Sequence, residues 1–201
     1  MQTPFTSDSL LSLIQARRTC YQFESQENYP VSDQELDYCL EAARWAPNHK
    51  LTQPWRFWIV GEECKEALAH VYADNRALKR SAMDASLYEN FYKKAVSKFL
   101  EIPKVVLVGQ ILDTDPITQK EDYAACACAI QNFQLMAWQQ NVGVQWSTGP
   151  ILSDKRTYDR LGIDSQEIEL IGALYLGHIK QDCSQPNPKR KPLDQVVIKL
   201  D

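Results

Sequence analysis

The 201-residue sequence predicts an α+β fold, and three observations lead there. Short runs rich in β-branched and aromatic residues, at Phe57 to Val60, Lys104 to Gly109 and Glu169 to Gly177, are separated by helical patterns that come singly and in pairs, an order that suits neither an all-helical bundle nor a regular βαβ alternation. The last of these runs is continuously apolar, as a strand in the middle of a sheet must be. Hydrophobic residues make up 44% of the chain and no Pro/Gly/Ser-rich linker divides it, so one core and one domain over residues 1–201 are expected.

Each element has a local reason. Ser7-Asp8-Ser9 offers N-caps for a first helix with Leu10, Leu11 and Ile14 on one face and Arg17 at its end. Ser32 and Glu35 form a capping box for a second, in which Leu36, Cys39, Leu40 and Ala43 supply the apolar stripe and Trp45 marks the end. Pro47 disfavours helix at Ala46, and the connection Asn48 to Gln53 is too polar to bury except against a polar ligand. Flanked by Trp45 and Trp55, it suits one side of a slot for a flat molecule with polar edges, or else an ordinary helix-to-strand connection carrying surface tryptophans. Pro54 then opens the aromatic strand.

Charged helical patterns run from Cys64 to about Arg80 and from Ser86 to Phe99. Tyr88 and Tyr92 lie four apart on one face of the latter, either as packing residues or as part of a lid over a ligand. Pro103 precedes the buried strand at Lys104 to Gly109, and the longest helix spans Glu121 to Asn141. Its stretch Ala124 to Ile130 is apolar nearly all round and mostly small, which makes it a core pillar or a subunit seam, with Ala125 and Ala129 as seam candidates. Val144 to Pro150 leads into a capped short helix from Ser153 to Leu161, and Val196 to Leu200 reads as a last, edge-like strand.

A formal charge of -4 and a pI near 5.5 argue against a broad nucleic-acid-gripping face, so any anion site must be local. No apolar run approaches the roughly 20 residues of a membrane span, and the start lacks a signal-peptide pattern, so the cytoplasm is expected. The 6 cysteines are scattered. On a helix Cys126 and Cys128 point roughly 200° apart and cannot share a metal, which leaves small core packing as their reading.

Arg17-Arg18-Thr19 joins two planar donor forks and a hydroxyl, a combination suited to phosphate. With Ala46-Pro47-Asn48-His49-Lys50-x-x-Gln53-Pro54-Trp55, Val144-Gln145-Trp146-Ser147-Thr148-Gly149 and Lys189-Arg190-Lys191-Pro192-Leu193, the chain resembles the nitroreductase family from about Ser9 to Ile198, less so between Ala67 and Phe99. The resemblance implies a central, mostly antiparallel sheet flanked by helices, and a homodimer with shared active sites. It further implies FMN as cofactor, NAD(P)H as electron donor and a flat small-molecule acceptor such as a nitroaromatic or quinone, reduced by a ping-pong mechanism without a protein nucleophile.

On that resemblance Arg17, Arg18 and Thr19 bind the phosphate and ribityl end, and Arg190 adds a second charge. Asn48 and His49 approach from the partner subunit, while Trp146, Ser147 and Thr148 run along the ring. Two departures stand out. Tyr21 occupies a position where many relatives carry a cation, for which Lys50 or another group is a candidate replacement, and Trp-Ser-Thr-Gly stands where some have Trp-Arg-Ser-Gly. The sequence at 189–194 also resembles the dehalogenating branch, although its Glu, Tyr and Lys set cannot be placed between Ala67 and Phe99. Tyr21 favours a further alternative, a flavin-binding dimer without turnover.

Overall fold

The computed structural model describes residues 6–81, 84–181 and 188–200. Helices α1 (Ser7–Ala16) and α2 (Asp33–Arg44) precede strand β1 (Trp55–Ile59), the helical pair α3 (Glu62–Ser81) and α4 (Ala85–Leu100), and strand β2 (Lys104–Ile111). Then come α5 (Pro116–Gln139), β3 (Val142–Ser147), α6 (Lys155–Leu161) and β4 (Ile168–His178). The four strands form one sheet in the order β1-β2-β4-β3, antiparallel throughout.

Strand alternation sorts the core into two halves. Val106 and Val108 of β2 meet α2 and α5 on one face, while Val105 and Leu107 meet α3 and α4 on the other. The two inner strands are the two that read as apolar runs, since each is covered on both sides. Helix α2 carries the expected capping box between Ser32 and Glu35, and Leu36, Cys39 and Ala43 are its buried stripe. Its C-cap is Trp45.

Several expectations change. The N-cap of α1 is Thr6, whose hydroxyl accepts from the Ser9 amide. Leu10, Leu11 and Ile14 all stay exposed in the protomer. Helix α5 begins at Pro116, because Asp115 caps it and proline suits the first turn. Ala125 and Ala129 face the protomer's own core, so the outer face of α5 is formed by Tyr123, Ala124 and Cys128 instead. Cys126 is buried and Cys128 exposed, as their angular separation requires. Val142 to Ser147 is a strand, and Val196 to Leu200 is not: after a 3-10 turn at Leu193–Gln195 the chain continues exposed and without regular structure. A strand needs a ladder partner, and the free edge of β3 is already lined at Thr19 and Cys20, which bridge and hydrogen-bond Val144, while Phe23 bridges Ile179 just past β4.

Tyr88 and Tyr92 stack on each other with centroids 5.8 Å apart. Tyr88 donates to Asp74 at 2.6 Å, and the Tyr92 hydroxyl lies 2.7 Å from His70 Nδ1. They fasten α4 to α3. The bond to Asp74 pushes the Tyr88 phenol up to about 12.

Candidate functional site

Helix α1 stops at Arg17, where the backbone turns extended, and the chain then runs along β3, with the Cys20 amide donating to the Val144 carbonyl at 3.2 Å. Gly143 permits this approach, since a Cβ there would lie 2.5 Å from that of Cys20. The result is a cluster of guanidinium groups on the sheet edge. Arg17 reaches Gln134 at 3.5 Å, while its Nε is buried without a partner. Arg18 donates to the carbonyls of Gln15 and Arg17. Burial, then the charges of Arg18 and Arg190, push the Arg17 guanidinium below its usual range. Among the described residues no carboxylate pairs with any of the three. Like charges held together without an acid set a positive potential that an anion satisfies.

Beside this edge lies a cavity of about 570 Å³ between the sheet and the α3–α4 pair, a size suited to a flat ring system. Tyr21, Gln145, Ser147, Gly149 and Tyr175 contribute to one wall, and Tyr72, Arg76, Lys79, Arg80 and Lys98 to the other. Burial pushes the Tyr175 phenol up, against a pull from the Ser147 hydroxyl. These four cations went unnoticed in the sequence, because a basic helix face normally means solvent. The available signal was the spacing of Arg76, Lys79 and Arg80, three to four residues apart on one face.

The segment 146–148 divides between two faces. Trp146 points to the α5 side and donates to the Ile171 carbonyl at 3.2 Å, with its indole against Gly172. Ser147 lines the cavity, and Thr148 opens onto a separate groove shared with Tyr123 and Tyr158.

Asn48 and His49 lie elsewhere. Asn48 accepts from the Gln53 amide at 3.0 Å, and His49 Nδ1 meets Glu121 at 2.6 Å. Thr52 donates to the buried Asp122 at 2.6 Å. Lys50, Leu51 and Gln53 all have positive φ, so this polar connection holds three side-chain-bearing residues in a costly conformation. No residue from 46 to 59 borders the cavity of its own chain, which removes Lys50 as the in-chain replacement for a cation at Tyr21. Nor do Trp45 and Trp55 form a slot, since Trp45 is 72% exposed and Trp55 is in the core.

Fold and site together define an α+β sandwich with a cationic sheet edge opening on a ring-sized cavity. Residues 14–178 match the sequence profile of the Nitroreductase family, and the chain belongs to that family. It is 32% identical over 159 residues to the Bacillus subtilis protein named "Putative NAD(P)H nitroreductase YfhC", covering 79% of this chain and 78% of that one. A nitroreductase-like family protein from Bacillus cereus superposes over the full length of both chains, with a TM-score of 0.81 and 25% identity. An iodotyrosine deiodinase structure bound to FMN and 3-iodo-L-tyrosine shares the fold at a TM-score of 0.71 and 20% identity, over 96% of this chain and 98% of that chain.

Proposed function

We propose that the protein is an FMN-dependent oxidoreductase, a single domain over residues 1–201, that takes electrons from NAD(P)H and passes them to flat acceptors such as nitroaromatics or quinones. The observation that carries this is the acid-free cluster of Arg17, Arg18 and Arg190, with the partnerless, buried Nε of Arg17 at its centre. A phosphate supplies the charge and the acceptors that the cluster lacks, and the half-buried Thr19 adds a hydroxyl. From there a ring can extend along β3 into the cavity, where Ser147 and the backbone to Gly149 border it. When bound, FMN supplies a ring that accepts and returns a hydride equivalent, while the protein positions and desolvates it. Lys98 is the cation that would stand in for Tyr21 and hold the negative charge of a reduced ring. One open cavity serves donor and acceptor in turn, which suits a ping-pong cycle.

Asn48 and His49 belong to this site only if a second copy brings them, so the functional unit is a homodimer with shared active sites. The exposed faces of α1 and α5 are the surfaces such a copy would cover. No helix among the described residues is long and apolar enough to cross a membrane, and we place the protein in the cytoplasm.

The similarity to a deiodinase favours reductive dehalogenation as a second reading. Against an amino-acid substrate stands the cavity lining, which contains no Asp or Glu among the described residues to hold an ammonium group.

The test is to purify the protein, release and identify its flavin, and follow anaerobic reduction by NADPH and by NADH separately, with 3-iodotyrosine among the acceptors. Protein that neither contains nor binds FMN rules the proposal out. Flavin that neither nucleotide reduces leaves a binder without turnover.

A further inference from the structure

The cavity's charge is lopsided in a way that one flavin does not resolve. The chain as a whole is acidic, at -4, yet the lining carries Arg76, Lys79, Arg80 and Lys98 and no carboxylate among the described residues. Two acids beside the lining residue Asn75 are engaged elsewhere. Asp74 pairs with Arg156 at 2.8 Å and accepts from Tyr88, and Asp154 pairs with the same Arg156 at 2.7 Å and accepts from Asn75. Meanwhile two of the cavity cations are fixed by aromatic rings, which orient a charge without neutralising it. Arg76 donates to the Tyr72 hydroxyl at 2.9 Å and lies 5.3 Å over that ring, which in turn packs on Phe99. Arg80 lies 5.9 Å over Phe91.

We propose that the α3 wall of the cavity, Arg76, Lys79 and Arg80, selects substrates carrying an oxyanion group, a carboxylate or phosphate, beside the flat part that reacts. This rests on the flavin reading above. A reduced ring engages one cation, with Lys98 of α4 available for it, and the α3 cations remain for the second molecule. Their pre-orientation lowers the ordering cost of binding. The oxyanion has two sources: the 2′-phosphate that distinguishes NADPH from NADH, or an acidic group on the acceptor.

The experiment titrates the flavin-loaded protein with 4-nitrobenzoate and with 4-nitrobenzyl alcohol, and separately with NADP⁺ and NAD⁺, following the flavin absorption band. The anionic member of at least one pair should bind about tenfold tighter or more, the ~1.4 kcal/mol of one charge-assisted bond. Raising KCl should erode that preference, since partly exposed charges are screened. In Arg76→Gln/Lys79→Gln the anionic-to-neutral ratio should fall towards one, with circular dichroism checking the fold. The pair that shows the preference identifies the source. Ratios near one in both pairs, insensitive to salt in the unaltered protein, overturn this inference while leaving the flavin reading intact. Failure to load FMN at all overturns both.

Discussion

Replacing Arg190 with alanine should have opposite effects on the empty and the loaded protein. In the empty chain Arg190 donates, among the described residues, only to the Lys189 carbonyl at 3.0 Å, and its charge helps to depress Arg17. Removing it therefore breaks no ion pair and relieves a repulsion. Because Arg190 is exposed, the relief is at most on the scale of surface charge pairs, about 0–1 kcal/mol. With a phosphate bound, the same change deletes a charge-assisted hydrogen bond of roughly 1.5–3 kcal/mol. At 1.4 kcal/mol per tenfold this weakens FMN binding roughly 10- to 150-fold. Titrating FMN into flavin-free protein by fluorescence quenching gives the second quantity, and melting the flavin-free protein gives the first. An unchanged dissociation constant, or a flavin-free variant that melts markedly lower, would refute the reasoning.

Gly143→Ala should cost about 1–3 kcal/mol through overpacking against Cys20 and also loosen FMN, because it pushes residues 17–20 off β3; a lowered melting temperature with unchanged flavin affinity would count against this. Cys128→Arg, on the outer face of α5, should yield monomers by light scattering that lose flavin, whereas Ala129→Arg should compromise folding itself, since Ala129 is in the core. The hydrogen bond from Arg156 holds Asp154 down to about 2 from 3.8. A depressed carboxylate stabilises the fold above its unfolded pKa, and that contribution disappears as pH falls from about 4 to 2; Asp154→Asn should remove this part of the acid-melting profile, and an unaltered profile would contradict it. Burial pushes the Cys39 and Cys126 thiols up to about 12, so both should react with thiol reagents only as fast as the protein opens.

What was legible in the sequence was local or continuous. The Ser32–Glu35 box sits within one turn and specified the start of α2, and the apolar runs of β2 and β4 announced strands covered on both faces. Strand β3 was hidden because only Val142 and Val144 show its buried side before the mixed residues Trp146 and Ser147 intervene. The phosphate-type motif was visible in Arg17 to Thr19, but its joining to Arg190 is a tertiary event that spacing does not encode. The basic wall was opaque for a different reason. Arg76, Lys79 and Arg80 have the pattern of a solvated helix face, and only the cavity opposite them gives that pattern another meaning. For Asn48 and His49 the difficulty is geometric, since their own chain carries them away from the cavity and only the second copy proposed above would bring them to it.

The arginine cluster also has a temporal side. Arg17 belongs to the part of the polypeptide that leaves the ribosome early, and Arg190 to a part that leaves late. If flavin is gripped by both, as proposed above, it cannot be fully held by a nascent chain whose sheet is already complete at His178, and loading would wait until synthesis has passed residue 190. Flavin content would then report how many molecules have brought that late stretch home. A protease that nicks the chain after β4 should bleach the protein while its sheet is still intact.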